Sequence, residues 1–170
     1  AVARWRQYEL SLARQAADHA AGLIAYTQPI AHYLFEGYAG VAEVYLALWA
    51  AADDPDERET LAQAARQACR TMHKFARVFR IGRPRAHLYQ GRYEWLAGRP
   101  RQARRAWQKS LAQAQRLGML YEEGLAYACL GQHLPAHKPA RQKQLTQACE
   151  LFTRLGASYD LARTQQAFGE

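Results

Sequence analysis

The sequence predicts an all-α protein, an α-solenoid stacked from antiparallel helical hairpins with about eight helices, and three observations carry that prediction. The phrase basic-aliphatic-glycine recurs as Arg80-Ile81-Gly82, Arg116-Leu117-Gly118 and Arg154-Leu155-Gly156, at intervals of 36 and 38 residues. A glycine just past a helix can adopt the left-handed conformation that caps the last carbonyls, so the recurrence marks three equivalent helix ends. All six prolines, at positions 29, 55, 84, 100, 135 and 139, fall where one periodic segment gives way to the next. Proline fits the first turn of a helix and breaks its interior. Between these breaks apolar residues recur at spacings of three and four, and no alternating strand pattern competes.

The first helix is expected over 4–26, ahead of Pro29, and the second over 30–52. Within the second, Tyr38, Val41, Ala42, Tyr45, Leu46 and Trp49 line one side and require burial. The third is expected over 56–80, with Asp54 as its cap, Pro55 in the first turn, and Asp56, Glu57 and Glu59 beside the positive end of the helix dipole. Its buried stripe runs Leu61, Ala64, Ala65, Ala68, Met72, Phe75, Ala76 and Phe79. Pro84 opens a fourth over 85–97 and Pro100 a fifth over 101–117. A sixth follows over 120–133, and Pro139 opens a seventh over 140–155. Aligned on their terminal glycines, the fifth and seventh place Trp107 over Leu145, Ser110 over Ala148 and Ala114 over Phe152. The eighth, over 158–168, opens with Tyr159-Asp160 at the same 38-residue offset from Tyr121-Glu122.

With 49% apolar and 22% charged residues, the 170-residue chain has the balance of one soluble, folded domain. Its longest strongly apolar stretch, 41–52, contains Glu43 and is too short to span a bilayer. Cys69, Cys129 and Cys149 are odd in number and fall on alanine-rich helical faces, which predicts reduced core thiols and a cytoplasmic location. The chain opens without methionine and enters a helical pattern at once, so a segment of a longer polypeptide is expected. The net charge of +8 is regional: about fourteen Lys and Arg lie between residues 66 and 116 against the single Glu94.

The stretch from Pro84 to Leu155 resembles a tetratricopeptide-type (TPR) repeat. In that family the first helix of each pair carries a small residue where the two helices cross. Gly91, Gly98, Ala103, Trp107 and Ser110 fall in that pattern, and Gly131 with Leu145 and Ala148 repeats it after a shorter turn. His87 stands where the family tryptophan would be, and Glu94 replaces the usual aromatic. More narrowly, Tyr93-Glu94-Trp95-Leu96-Ala97-Gly98-Arg99-Pro100 and Arg116-Leu117-Gly118-Met119-Leu120-Tyr121-Glu122-Glu123 resemble the C-terminal helical regions of large bacterial signalling ATPases, several of them fused to class III nucleotide cyclase or protein kinase domains. The resemblance implies a right-handed stack serving as a regulatory or protein-interaction scaffold, with groove positions at Arg85, Leu88, Arg92 and Trp95 and again at Leu125, Ala128 and Gln132. The family's lysine and asparagine clamp for a C-terminal carboxylate is missing, because the chain has no asparagine.

No constellation of catalytic type emerges, and no catalytic residue, metal or cofactor is expected. His133 and His137 are four apart, but Pro135 lies between them, which makes a loop pair of them rather than two ligands on one helix face. None of Ser11, Ser110 and Ser158 sits in a nucleophile elbow, and no glycine-rich loop cradles phosphate. The arginines carry the strongest functional signal. Arg66, Arg70, His73, Arg77 and Arg80 recur on a face of the third helix different from its apolar stripe, and guanidinium forks suit carboxylate or phosphate. The expected partner is a protein or peptide, acidic or another domain of the same polypeptide, with nucleic acid or another polyanion as the alternative through the region 66–116. Phe75, Phe79, Trp95 and Trp107 lie at core spacing, where they are not free to stack on bases. Apolar faces at the ends of the stack are expected to allow self-association.

Overall fold

The computed structural model describes residues 1–7, 9–25 and 28–168. Among them nine α-helices and no strand occur: α1 (Val2–Arg6), α2 (Leu10–Ala25), α3 (Phe35–Ala51), α4 (Pro55–Val78), α5 (Arg83–Leu96), α6 (Pro100–Leu117), α7 (Leu120–Gln132), α8 (Pro139–Leu155) and α9 (Ser158–Gln166). The prolines do what their ring dictates: Pro55, Pro84, Pro100 and Pro139 all occupy the first turn of a helix. Asp54 caps α4, its carboxylate accepting from the Glu57 backbone N–H at 2.8 Å.

From α2 to α9 each helix packs against the next, and α3, α5, α7 and α9 also touch one another in succession. The core is centred on α3, which is buried around nearly its whole circumference; Gly40, Val44, Ala47 and Leu48 join the expected stripe. Phe75 of α4 packs among Phe35, Tyr38 and Phe79 with ring centroids 5.0 to 6.0 Å apart. Ala128, Ala148 and Phe152 form a second, smaller cluster under α7 and α8.

The α5–α6 and α7–α8 hairpins cross at glycines. A Cβ on Gly91 would fall 2.2 Å from Trp107 Nε1, and one on Gly131 would fall 2.7 Å from Leu145 Cδ2. These contacts leave room for hydrogen alone. Trp107 is buried, its indole N–H donating to the Leu88 carbonyl at 3.2 Å, and Ser110 Oγ donates to the Pro84 carbonyl at 2.8 Å.

Two expectations are corrected. Gly118 and Gly156 do close α6 and α8 in the left-handed conformation, at φ of 65° and 66°. Each is followed by a residue whose N–H returns to the carbonyl five positions back, Met119 to Ala114 and Ala157 to Phe152. Gly82 is different: its φ is −77°, it lies in a short 3-10 turn after α4, and it is glycine because a Cβ would meet Phe75 Cδ1 at 2.7 Å. The third left-handed end belongs to Gly98, at φ 73°, with Arg99 N–H returning to the Glu94 carbonyl. The second correction concerns the helix expected over 4–26, which is two helices. The Glu9 N–H turns back to the Arg4 carbonyl, and the two side chains pair at 2.9 Å. Tyr26, its expected end, lies outside the described residues, as does Tyr8 in the break.

Candidate functional site

Helices α3, α5, α7 and α9, with Phe152 of α8, line a groove of about 340 Å³. Leu88, Leu96, Leu125, Ala128 and Phe152 contribute apolar wall, and Arg92, Arg163, Glu43, Asp160, Gln132 and His133 contribute polar groups. Of the groove positions expected from the sequence, Leu88, Arg92, Trp95, Leu125, Ala128 and Gln132 all face this one space. Trp95, 38% exposed, forms an aromatic end wall with Trp107 and His133; the imidazole lies 4.2 and 4.5 Å from the two indole rings. His133 Nδ1 donates to the Cys129 carbonyl at 2.8 Å, while burial, with Arg92 and Arg141 nearby, lowers its pKa. A neutral ring is therefore the resting state.

Arg85 departs from expectation. It is 3% exposed and turned into the protein, where it donates to Glu122 at 2.7 Å and to the Tyr89 hydroxyl at 3.1 Å. Its guanidinium also lies within 5.8 Å of the ring centroids of Phe35, Tyr89 and Tyr121. Burial opposes its charge, but Tyr89 and Glu122 more than compensate, and its pKa rises. Tyr89 in turn donates to Glu43 at 3.0 Å, and Tyr121 donates to Asp160 at 2.9 Å. Carboxylates on α3, α7 and α9 thus each accept from a neighbouring first helix, which ties the groove wall together. Burial next to Asp160 pushes the Tyr121 hydroxyl up to about 12.

Arg66, Arg70 and Arg77 lie elsewhere, all exposed along the edge where α4 runs antiparallel to α5. Arg66 and Arg70 border a depression with Gln90, Glu94 and Arg99; Arg77 borders another with Arg83, His73 and His87. The arginines therefore form two surfaces rather than one, with Arg92 in the groove and the α4 set outside it. The His73 and His87 rings meet edge-on at 5.5 Å. Burial, His73, Lys109 and Arg83 hold His87 down to about 4, a setting that repels cations.

Sequence reasoning missed α1. Its Arg6 reaches Glu43 at 3.6 Å and sits 4.3 Å from the Tyr159 ring centroid, and the nearby Glu43, Asp160 and Tyr121 help to raise its pKa against the opposing effect of burial. Trp5 stands edge-on to Tyr159 at 6.4 Å, with the Arg163 guanidinium 5.7 Å from its own ring. Nothing in the local pattern marks the break after Arg6, since neither glycine nor proline is near. Sequence reasoning also missed Arg141, buried and donating to the carbonyls of Gln132, Leu134 and Ala167 at the ends of α7 and α9.

Among the described residues no group of three or more His, Cys, Asp or Glu side chains could hold a metal ion, and no helix is long and apolar enough to cross a membrane. Cys69, Cys129 and Cys149 are free thiols. Burial pushes Cys69 up to about 12, far from a reactive thiolate. Comparison with protein families, with curated proteins and with solved structures finds no match to this chain.

Proposed function

We propose that this chain is a non-catalytic protein-interaction scaffold, a right-handed TPR-like stack of helical hairpins, acting as a regulatory segment and using the groove of α3, α5, α7 and α9 to hold a peptide segment of a partner or of a neighbouring domain. The observation that carries the reading is the convergence on one space of six groove positions, Leu88, Arg92, Trp95, Leu125, Ala128 and Gln132. Apolar wall with a few placed polar groups is the composition of a binding cleft. Arg92 makes no ion pair among the described residues, so its donors remain available to a ligand. Crossing of both hairpins at glycine, Gly91 on Trp107 and Gly131 on Leu145, supports the repeat reading. Glu43, Glu122 and Asp160 are engaged by Tyr89, Arg85 and Tyr121, which suits structural acceptors better than general acids or bases.

A displayed random-peptide library selected on the full chain tests this. Peptides that bind are expected to lose about tenfold or more in affinity with Trp95→Ala, a partly exposed anchor of the kind that dominates interfaces, while a cooperative thermal melt shows that the variant remains folded. Enriched peptides indifferent to both Trp95→Ala and Arg92→Ala would remove the groove from the account.

The second reading, a polyanion surface, has one observation in its favour: Arg66, Arg70 and Arg77 do share a single exposed edge. Phosphate contacts make affinity fall steeply with salt. Binding of a generic duplex at low salt that is abolished by Arg66→Glu with Arg70→Glu would favour it; an absence of binding at low salt would dismiss it.

A further inference from the structure

The depression beside Arg77, of about 320 Å³, lies where α4, α5 and α6 meet. Its floor is Ala76 and Ala86, both buried and too small to fill the space. Its walls are His73, Arg77, Arg83, His87 and Gln113, and no carboxylate is among them. Lys109 adds a further positive charge from α6. The neighbouring depression around Arg66, Arg70 and Arg99 differs, because Glu94 stands inside it and accepts from Gln90 and Arg99. Beside Arg77 nothing plays that part: among the described residues Arg77, Arg83 and Lys109 make no ion pair.

Like charges gathered in one concavity repel, and the two half-buried imidazoles carry the consequence. Burial, together with His73, Lys109 and Arg83, holds His87 down to about 4, and burial with Arg77 lowers His73. Both rings are therefore neutral at pH 7, meeting edge-on at 5.5 Å. The first turn of α5 borders the same space with no acidic residue and no side-chain cap, so the positive end of its dipole is unopposed as well. The set lacks an anion with several acceptor oxygens and more than one charge. A carboxylate brings one charge and two oxygens. A phosphodiester also brings one charge, and its chain must leave on both sides of a one-sided hollow. A terminal phosphoryl group brings three acceptor oxygens and close to two charges at pH 7, in the geometry that guanidinium forks match.

We propose that the concavity of His73, Arg77, Arg83, His87 and Gln113 is a binding site for a terminal phosphoryl group, a phosphate monoester borne by a small molecule or by a phosphorylated side chain. Arg77 and Arg83 take its oxygens, and the imidazoles and the Gln113 amide complete the cradle. The site is separate from the groove and independent of what the groove holds. A bound dianion offsets the repulsion, so both imidazoles accept protons more readily when the site is filled. By linkage, the affinity for a dianion rises as the pH falls through the histidine range. Each imidazole then offers two N–H donors in place of one.

The test is a titration of the full chain with phenyl phosphate, read from the histidine side-chain signals by NMR. The signals of His73 and His87 are expected to move, and the midpoint of His87 to rise by about one pH unit or more, while the exposed His19 and His137 stay in place. Sulfate, which remains a dianion throughout, should bind about tenfold tighter at pH 5 than at pH 7.5. Arg77→Gln with Arg83→Gln should weaken phenyl phosphate by about tenfold or more, and Arg66→Gln with Arg70→Gln by less than about twofold, with thermal melts showing that both variants fold. A phosphoserine peptide binding about tenfold tighter than phenyl phosphate assigns the group to a phosphorylated protein; equal binding assigns it to a small monoester. Signals of His73 and His87 that do not move at millimolar phenyl phosphate would overturn the site. So would equal weakening by the two arginine pairs, which marks a general cationic surface. A DNA duplex that moves the same two signals at lower concentration than the monoester would refute the terminal phosphoryl group as the ligand.

Discussion

Arg85 and Arg92 sit two turns apart on α5 with similar sequence surroundings, yet one is structural and the other faces the groove. Arg85 is enclosed with Glu122, so removing it leaves a buried carboxylate without its partner. Arg85→Ala is expected to cost about 3–5 kcal/mol in denaturant unfolding, and Arg92→Ala less than about 0.5 kcal/mol. A double change of Arg85 and Glu122 to similarly sized apolar residues should recover much of the loss, because the surviving charge is no longer stranded. Charge and spacing could not separate the two arginines, since both fall on α5 near the crossing at Gly91. The partner of Arg85 lies 37 positions away in α7, a separation that local periodicity does not reach. His87 supplies a pH prediction at the same scale. Its folded pKa, depressed to about 4, lies below that of the unfolded chain, so the unfolded state binds more protons between about pH 6.5 and pH 4. Its contribution is therefore present above that window and lost as the pH falls through it. His73 and His133 shift in the same direction. The melting temperature should fall across this interval, and less steeply in His87→Gln; an unchanged slope would assign the effect to other groups.

The helices themselves were legible because their starts and stops have a chemical origin. Proline at the first turn, the Asp54 cap and the three-and-four spacing located α4, α6 and α8 within a residue or two. The glycine ends were legible only as a class. Gly118 and Gly156 share one cap geometry, whereas Gly82 shares their sequence context but serves close packing on Phe75. The phrase basic-aliphatic-glycine cannot distinguish the two uses, because both demand the absence of a Cβ for different reasons. Substitution separates them. Gly118→Val is expected to destabilise by about 1–3 kcal/mol through strain at positive φ, and Gly118→Asn much less, since asparagine tolerates that region. At Gly82, asparagine should be no better than alanine, because the obstacle is a ring atom rather than a dihedral angle. Trp107→Ala, which empties the α5–α6 crossing, should cost about 3–5 kcal/mol. A melt insensitive to Trp107→Ala would mean that this indole does not hold the hairpin together.

On the scale of the whole molecule, sequence reading located one wall of the groove and missed the other. Leu88, Arg92, Trp95, Leu125, Ala128 and Gln132 came from α5 and α7, which touch one another in the fold. Glu43, Asp160 and Arg163 came from α3 and α9 and could be placed only once the four helices were seen side by side. The contact of Arg6 with Glu43 and Tyr159 was illegible, because it depends on α1, α3 and α9 meeting in space. Exposed apolar side chains occur on α2, at Leu10 and Leu12, and near the far end of the described residues, at Leu155 and Phe168. The groove lies between these ends, and its four helices make one continuous surface. Amide chemical-shift mapping of the full chain, titrated with a library-selected peptide, tests that claim most directly. The account predicts perturbations grouped at Glu43, Leu88, Arg92, Leu125 and Ala128, on three separate helices. Perturbations confined to the exposed α4 edge around Arg66, Arg70 and Arg77 would contradict it.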